Sequence, residues 1–183
     1  MLGASVANAA CPVSSDAKTG IKIEYADSYS IHTRDADGSV TETEYSGDEI
    51  NQYIAGNGLL ETAFVVAADD VADQFSYTFD TSALVPPKPW SGNRGEQITY
   101  DGQGEEVDRV EYSYHTRGFK PYRIGPCTYS SIAFQTYQHF PDGKSMVEFV
   151  YLLDLGIPVP VGFGGDGYFD SFRPLQISGM GAQ

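Results

Sequence analysis

Serine, histidine and arginine recur in the same order at two places in the chain. Tyr29–Arg34 and Tyr112–Arg117 match at five of six positions. Alternate side chains of an extended strand point to opposite faces, so these three residue types share one face in each copy. Guanidinium and protonated imidazole groups hold anions through charge-assisted hydrogen bonds. The pattern therefore predicts a candidate ligand site formed by His32, Arg34, His115 and Arg117.

A solvent-facing sheet surface explains the same residues. Glu42 and Glu44 would neutralise the first copy, and the serine and histidine side chains would be exposed while their tyrosine and isoleucine neighbours are buried. The match also fits a duplication, with two related halves joined near residues 84–95. The two histidine segments would then be equivalent strands of these halves.

Cys11 and Cys127 are the only cysteines. In an oxidising compartment they are expected to form a disulfide. The alternatives are free thiols or a lipid on Cys11, although the apolar residue expected three positions before a lipidated cysteine is Asn8 here. Residues 1–10, with Ala7-Asn8-Ala9, are typical of the end of a secretory signal peptide or of a disordered alanine-rich terminus. A periplasmic or secreted protein is the expectation.

The sequence contains no nucleophile elbow, zinc-binding motif, phosphate loop or dinucleotide fingerprint. Two acidic clusters are expected to be solvated loop charge rather than acid–base catalysts. Segments 35–38 and 164–170 share glycine and aspartate with calcium loops but do not complete either pattern. Neither metal nor cofactor is predicted. The two acidic clusters named above consist of Asp69, Asp70 and Asp73, and of Glu105, Glu106 and Asp108.

Composition limits the class of protein. The 183 residues carry a net charge of −14 with 11 Lys and Arg, which argues against binding to nucleic acid. A hydrophobic content of 41%, including 13% aromatic residues, excludes a wholly disordered chain. No apolar run approaches the roughly 20 residues of a membrane span.

The elements that position these residues are predicted to be strands. Short runs of alternating apolar and polar residues, separated by Asp-Gly, are typical of antiparallel sheets. We expect residues 11–183 to form a single all-β domain of about ten strands. Its architecture is a mostly antiparallel barrel, half-barrel or twisted sandwich with at most one short helix. That helix is Glu49–Ala55, capped by Asp48, for which a loop is the alternative.

Two hairpins are predicted in detail. The three-residue loop 36–38 pairs Tyr29 with Tyr45 and His32 with Glu42, because only this register separates an aromatic face from a charged one. A second hairpin turns at 141–143, and its return strand is apolar on nearly both faces, as in a strand buried on both sides. Gly38 and Gly143 are expected to have positive φ.

Turn and cysteine motifs across most of the chain carry a resemblance. These motifs are Cys11-Pro12 and the segments of residues 20–23, 125–129, 141–143 and 151–156. In outline the chain resembles a group of uncharacterised secreted bacterial β-proteins, which implies an extracytoplasmic β domain and no particular active site. In architecture it is also similar to lipoprotein-carrier half-barrels, which have an apolar concave face.

The function expected from the sequence is non-enzymatic binding outside the cytoplasm. The ligand would be an apolar small molecule or an envelope protein, held against an aromatic sheet face. A periplasmic hydrolase using carboxylates or histidines is the alternative, and a structural envelope module is the third. A cavity lined by tyrosine and phenylalanine would favour the first, and convergent histidine and carboxylate groups in a cleft would favour the second.

Overall fold

A computed structural model describes residues 10–66, 71–82 and 84–181. Within these ranges the chain consists of one 3-10 turn, Ser14–Lys18, and thirteen strands. None of its helical segments is long or apolar enough to cross a membrane. The strands are β1 Ile21–Glu24, β2 Ser28–Arg34, β3 Val40–Ser46, β4 Glu49–Ala55, β5 Ala63–Val66, β6 Val71–Tyr77, β7 Gly92–Tyr100, β8 Glu106–Ile124, β9 Cys127–Phe140, β10 Gly143–Leu152, β11 Ile157–Gly165, β12 Tyr168–Ser171 and β13 Gln176–Gly179.

All thirteen strands belong to one antiparallel sheet that is not closed into a barrel. Neighbours along the chain are neighbours in the sheet from β1 to β12, and β13 adds to the free edge of β1. Pro158 and Pro160 lie in the part of β11 that β12 does not cover. Proline has no backbone N–H to donate to a further strand, so this edge is unsuited to closing the sheet. The predicted all-β, antiparallel class is confirmed.

The first hairpin has the predicted register. Tyr29 pairs with Tyr45 and His32 with Glu42. The backbone N–H of Asp35 donates to the carbonyl of Ser39 at 2.9 Å, which closes the three-residue loop. Gly38 has φ 94°, as the left-handed position of that loop requires.

The prediction for Gly143 is wrong. Phe140 pairs with Gly143, so the loop contains only Pro141 and Asp142, and Gly143 is not among the residues with positive φ. Proline fixes its own φ near −65°, which suits the first central position of a type I turn and excludes the mirror-image turns. The glycine then occupies the last turn position, where positive φ is not needed.

The predicted helix at Glu49–Ala55 is also wrong. This segment is β4 and pairs with β3, Tyr45 lying opposite Ile50 and Val40 opposite Ala55. Its helical spacing of apolar residues is outweighed by hydrogen bonding to strands on both sides. The segment is a central strand whose residues Asn51, Tyr53 and Ala55 face the same side.

The buried residues form two clusters, and β10 contributes to both. Val150 and Leu152 pack with Ile21 and Ile23 of β1, together with residues of β11 and β13. Phe149 and Tyr151 pack instead with the aromatic residues of β8 and β9. The strand is therefore apolar on both faces because each face meets a different core, as its sequence predicted.

Cys11 and Cys127 form a disulfide with Cα atoms 5.6 Å apart. Cys127 begins β9 and is buried in the same cluster as Ile21. The hydroxyl of Tyr129 donates to the carbonyl of Pro12 at 3.3 Å, a second attachment of this segment. The disulfide leaves no thiol on Cys11 to carry a lipid. The proposed signal remnant lies almost wholly in residues 1–9, which are outside the described residues. Asp69 and Asp70 of the first acidic cluster are outside them as well.

Replacement of both cysteines by alanine should lower the free energy of unfolding by about 4–5 kcal/mol, because the link closes a loop of more than a hundred residues in the unfolded chain. Urea unfolding measures this loss. Reduction of the unmutated protein should produce a similar loss without altering the core. An unfolding curve that reduction leaves unchanged would contradict the prediction.

Gly58→Ala should destabilise the fold more than Gly104→Ala. Both glycines have positive φ, 75° and 82°. A methyl group at position 58 would lie 2.7 Å from the backbone carbonyl oxygen of Gly38, whereas position 104 is open. We expect a loss of about 1–2 kcal/mol at position 104 from conformation alone, and about 1–3 kcal/mol more at position 58 from the contact. Equal losses in thermal or urea unfolding would refute the close approach of these loops.

Candidate ligand cavity

A cavity of about 530 Å³ lies between the β2–β4 region and strands β10 and β11. Aromatic side chains form much of its wall. These are Tyr25, Tyr53, Phe149, Phe163 and Phe172. Four carboxylate residues also line it: Asp27, Glu42, Glu44 and Glu61. The interior of this open sheet is thus aromatic and acidic rather than uniformly apolar.

Strand register brings the polar residues of the cavity together. Ile21, His32, Glu42 and Tyr53 lie opposite one another on β1 to β4 and form one row across the sheet. The adjacent row on the same face contains Ser30 and Glu44. Alternation along each strand then fixes all these side chains on the side that faces β10 and β11.

His32 is the most deeply buried of these groups, with no exposed surface. Its Nε2 atom is 2.8 Å from the hydroxyl oxygen of Ser30 and 3.7 Å from a carboxylate oxygen of Glu42. Nδ1 has no hydrogen-bond partner among the described residues. Burial lowers the pKa of His32 to about 3, since an imidazolium would lose its hydration. The ring is neutral, so it does not offset the nearby carboxylates.

Two of the glutamates have raised pKa values. Burial, followed by the nearby charges of Glu61 and Glu44, raises the pKa of Glu42 to about 8. Burial alone raises the pKa of Glu61 to about 7. A buried carboxylate without a cation is costly, so both groups hold their protons to a higher pH than an exposed glutamate does.

Tyrosine hydroxyls fix the walls. Tyr25 donates to the carbonyl of Pro160 at 3.1 Å and so connects the turn after β1 to β11. Tyr53 donates to the Glu44 carboxylate at 3.3 Å, and Tyr77 donates to the backbone carbonyl of Glu61 at 2.6 Å. These bonds hold the cavity wall in position from three different strands or loops.

A smaller cavity of about 120 Å³ adjoins the first. Both are lined by Glu61, Val147 and Phe149, so these residues form the wall between them. Tyr112 and Gln97 lie on the far side of the smaller space. Glu61 therefore borders both parts of the interior.

The four residues predicted to bind an anion lie in different surroundings. His32 faces the interior, and the Arg34 guanidinium lies close to Gly156 in the turn between β10 and β11. His115 and Arg117 are exposed on β8, which five other strands separate from β2 in the sheet order. The ring of His115 packs against Tyr137 at a centroid distance of 6.0 Å. The two copies do not place their basic residues in the same environment.

Burial follows the expectation at three of four residues in the second copy but not in the first. Tyr112 and Tyr114 are buried and His115 is exposed, although Ser113 is also buried. In the first copy the order is reversed, because Ser30 and His32 are buried and Tyr29 and Ile31 are only partly so. The prediction that Ser30 and His32 face solvent is wrong, since β10 and β11 cover this face. The relation of the two halves by duplication stays a prediction.

Sequence reasoning placed Glu42 and Glu44 in a charged outer face and did not consider Glu61. The signal it missed is Val40, which has the same parity as both glutamates and is 1% exposed. A buried valine two positions before Glu42 indicates an inward face. By contrast, Glu105, Glu106 and Asp108 are exposed as expected, although Glu106 and Asp108 lie in β8 rather than in a loop, and Arg109 pairs with Glu106 at 3.0 Å.

The polar groups do not form a hydrolytic triad. Ser30 and Glu42 both approach the same nitrogen of His32, whereas a triad needs the serine and the carboxylate on opposite nitrogens. Across the described residues, no group of three or more His, Cys, Asp or Glu side chains is arranged to hold a metal ion.

Comparison with known proteins gives no match to a family model, to a curated protein or to a solved structure.

Glu42→Gln should change the pH dependence of stability. Between about pH 4.5 and 8 the folded protein keeps a proton on Glu42 that the unfolded chain has released, so folding loses stability as the pH rises. A glutamine at position 42 does not titrate, so it removes this difference in proton binding between the folded and unfolded chain. The variant should therefore gain stability over the unmutated protein by up to about 1.4 kcal/mol per pH unit in this range.

Urea unfolding at several pH values between 5 and 8.5 tests this expectation. Glu49→Gln is the matched control, because it removes an exposed carboxylate from the neighbouring strand β4. A constant stability difference between Glu42→Gln and the unmutated protein at every pH would show that Glu42 ionises normally.

Proposed function

We propose that the protein is a non-enzymatic binding protein that holds a small molecule with an apolar body in the cavity between β2–β4 and β10–β11. The observation that carries this proposal is a cavity of about 530 Å³ with five aromatic side chains in its wall. Volumes of this size are typical of small-molecule sites, in which aromatic walls supply affinity and a few polar groups fix orientation.

The construction of the cavity supports the proposal. A sheet that buried its inner face completely would need large apolar residues on β2 and β3, but serine, histidine and glutamates occupy these positions. Such residues weaken a core, since burying them costs free energy that packing does not return. Their concentration around one space is explained if a ligand makes contacts there.

The Cys11–Cys127 disulfide supports an extracytoplasmic location. Such links persist in oxidising compartments and are rare in reducing ones. A periplasmic or secreted protein is therefore part of the proposal, together with the resemblance to secreted bacterial β-proteins. The occupant is then a molecule of the envelope or its surroundings.

A hydrolase is the second candidate, and one observation favours it. Glu42 and Glu61 have pKa values of about 8 and 7, which is the range of a general acid at neutral pH. The position of His32 argues against it, because the ring is fully buried and has a low pKa. Ester or glycoside turnover that Glu61→Gln abolishes would decide for the hydrolase.

Val147→Trp should abolish binding of the neutral fluorescent probe N-phenyl-1-naphthylamine. Val147 lines both cavities, so the indole ring would fill the space a ligand needs. Fluorescence titration measures the affinity. Val107→Trp makes the same change at an exposed position of β8 and should leave binding intact.

A second variant separates blocking from misfolding. Ala26→Trp places the same bulk at an exposed residue of the cavity lining, away from the packed strands. Weaker binding in both Val147→Trp and Ala26→Trp, with unchanged circular dichroism, is expected. A probe that binds all four proteins equally, or none of them, would overturn the proposal.

A further inference from the structure

We infer that the ligand of this cavity is an organic cation, an amine or quaternary ammonium group attached to an apolar body. The inference rests on the proposed function and names the chemical class of the ligand. It follows from which charged groups line the cavity, how they are paired, and what surrounds them.

The charge of the lining has one sign. Among the described residues that form it, four have carboxylates and none is lysine or arginine. In the part of the chain that the structure describes, the one ion-pair contact to the lining acids is that of His32 with Glu42, at 3.7 Å, and the imidazole is neutral. Carboxylates elsewhere on the sheet do have basic partners, such as Glu96 with Arg109 at 2.8 Å. Among the described residues the lining acids thus have no cationic partner, whereas several exposed glutamates do.

The walls are suited to the same kind of ligand. The faces of phenylalanine and tyrosine rings attract cations, and the attraction is stronger where water is excluded. Tyr53 and Phe149 line the cavity together with Glu42 and Glu61. A carboxylate cluster with aromatic neighbours selects an ammonium group joined to hydrocarbon. A bare metal ion would need converging ligands, which the described residues do not provide.

Ligand charge and carboxyl protons should then compete. In the empty cavity Glu42 and Glu61 hold protons near neutral pH, and an incoming cation favours their ionised forms. Binding should release protons, and affinity should rise with pH. The titratable groups that face this space are Glu42, Glu44, Glu61, Asp27, Tyr25, Tyr53 and, behind Ser30, His32.

The test uses three compounds with one naphthylmethyl body. They are the trimethylammonium cation, its uncharged tert-butyl isostere and a carboxylate of similar size. Displacement of N-phenyl-1-naphthylamine gives each affinity. We expect the cation to bind at least about tenfold more tightly than the isostere at pH 8, and the carboxylate to bind least.

Calorimetry of the cation between pH 5.5 and 8.5, in buffers of different ionisation enthalpy, measures proton release. Affinity should rise by about tenfold per pH unit for each proton displaced. Glu42→Gln and Glu61→Gln should weaken the cation about tenfold and leave the isostere unchanged. Glu49→Gln should affect neither compound. Because glutamine cannot ionise, the variants remove the cost of ionising a buried carboxyl group, and they should fold at least as well as the unmutated protein.

The outcomes separate the two claims. If the neutral probe and all three compounds fail to bind, the proposed function is wrong. If the probe binds and the cation and isostere have equal affinity at every pH, the ligand is not cationic and only the further inference is overturned. A preference for the carboxylate that grows at low pH would overturn it as well, since protonated Glu42 and Glu61 would then act as hydrogen-bond donors.

Discussion

The pairing of β2 with β3 is the constraint on which the interior depends. This register places His32 opposite Glu42 and Ser30 opposite Glu44, and alternation along the strands fixes all four on one face. A shift of this pairing by one residue would invert one strand relative to the other and place Ile31, rather than His32, on the same face as Glu42 and Glu44. The closed turn at Gly38 holds the register, so the loop determines the chemistry of the cavity.

The open sheet makes room for that cavity. β11 carries two prolines where a closing strand would need donors, and the sheet edges are joined instead by side chains and the segment that leads to β13. The hydrogen bond from the Tyr25 hydroxyl to the Pro160 carbonyl is one such contact. The Tyr25 and Phe172 rings also pack edge to face, with their centroids 5.9 Å apart. The edges are thus held near each other while the space between them stays unfilled.

Electrostatics distinguish the two sides of the sheet. On the surface, arginines 94 and 109 pair with neighbouring glutamates in exposed contacts that contribute little to stability. Inside, Glu42 and Glu61 have no such partner among the described residues, and their pKa values rise because of burial. The fold therefore keeps an unfavourable arrangement at one place, which is common where a protein binds a ligand.

The sequence by itself determined the all-β class, the register of the first hairpin and the two-sided burial of β10. These features depend on local alternation, turn residues and cross-strand pairs, which lie close together in the chain. The Cys11–Cys127 pairing was expected because no other cysteine exists. The conformation of Gly143 and the strand at β4 were missed, since Pro141 and the neighbouring strands outweighed the patterns used.

Only the tertiary structure decided which face of the first hairpin is inside. Alternation shows that His32 and Glu42 share a face, but not whether solvent or another strand covers it. β10 follows that hairpin by about a hundred residues, and its Val147 and Phe149 enclose the polar face. The covering strands are distant in sequence, and polar side chains are usually exposed. A cavity of carboxylates and aromatic rings is therefore visible only once the sheet has folded over itself.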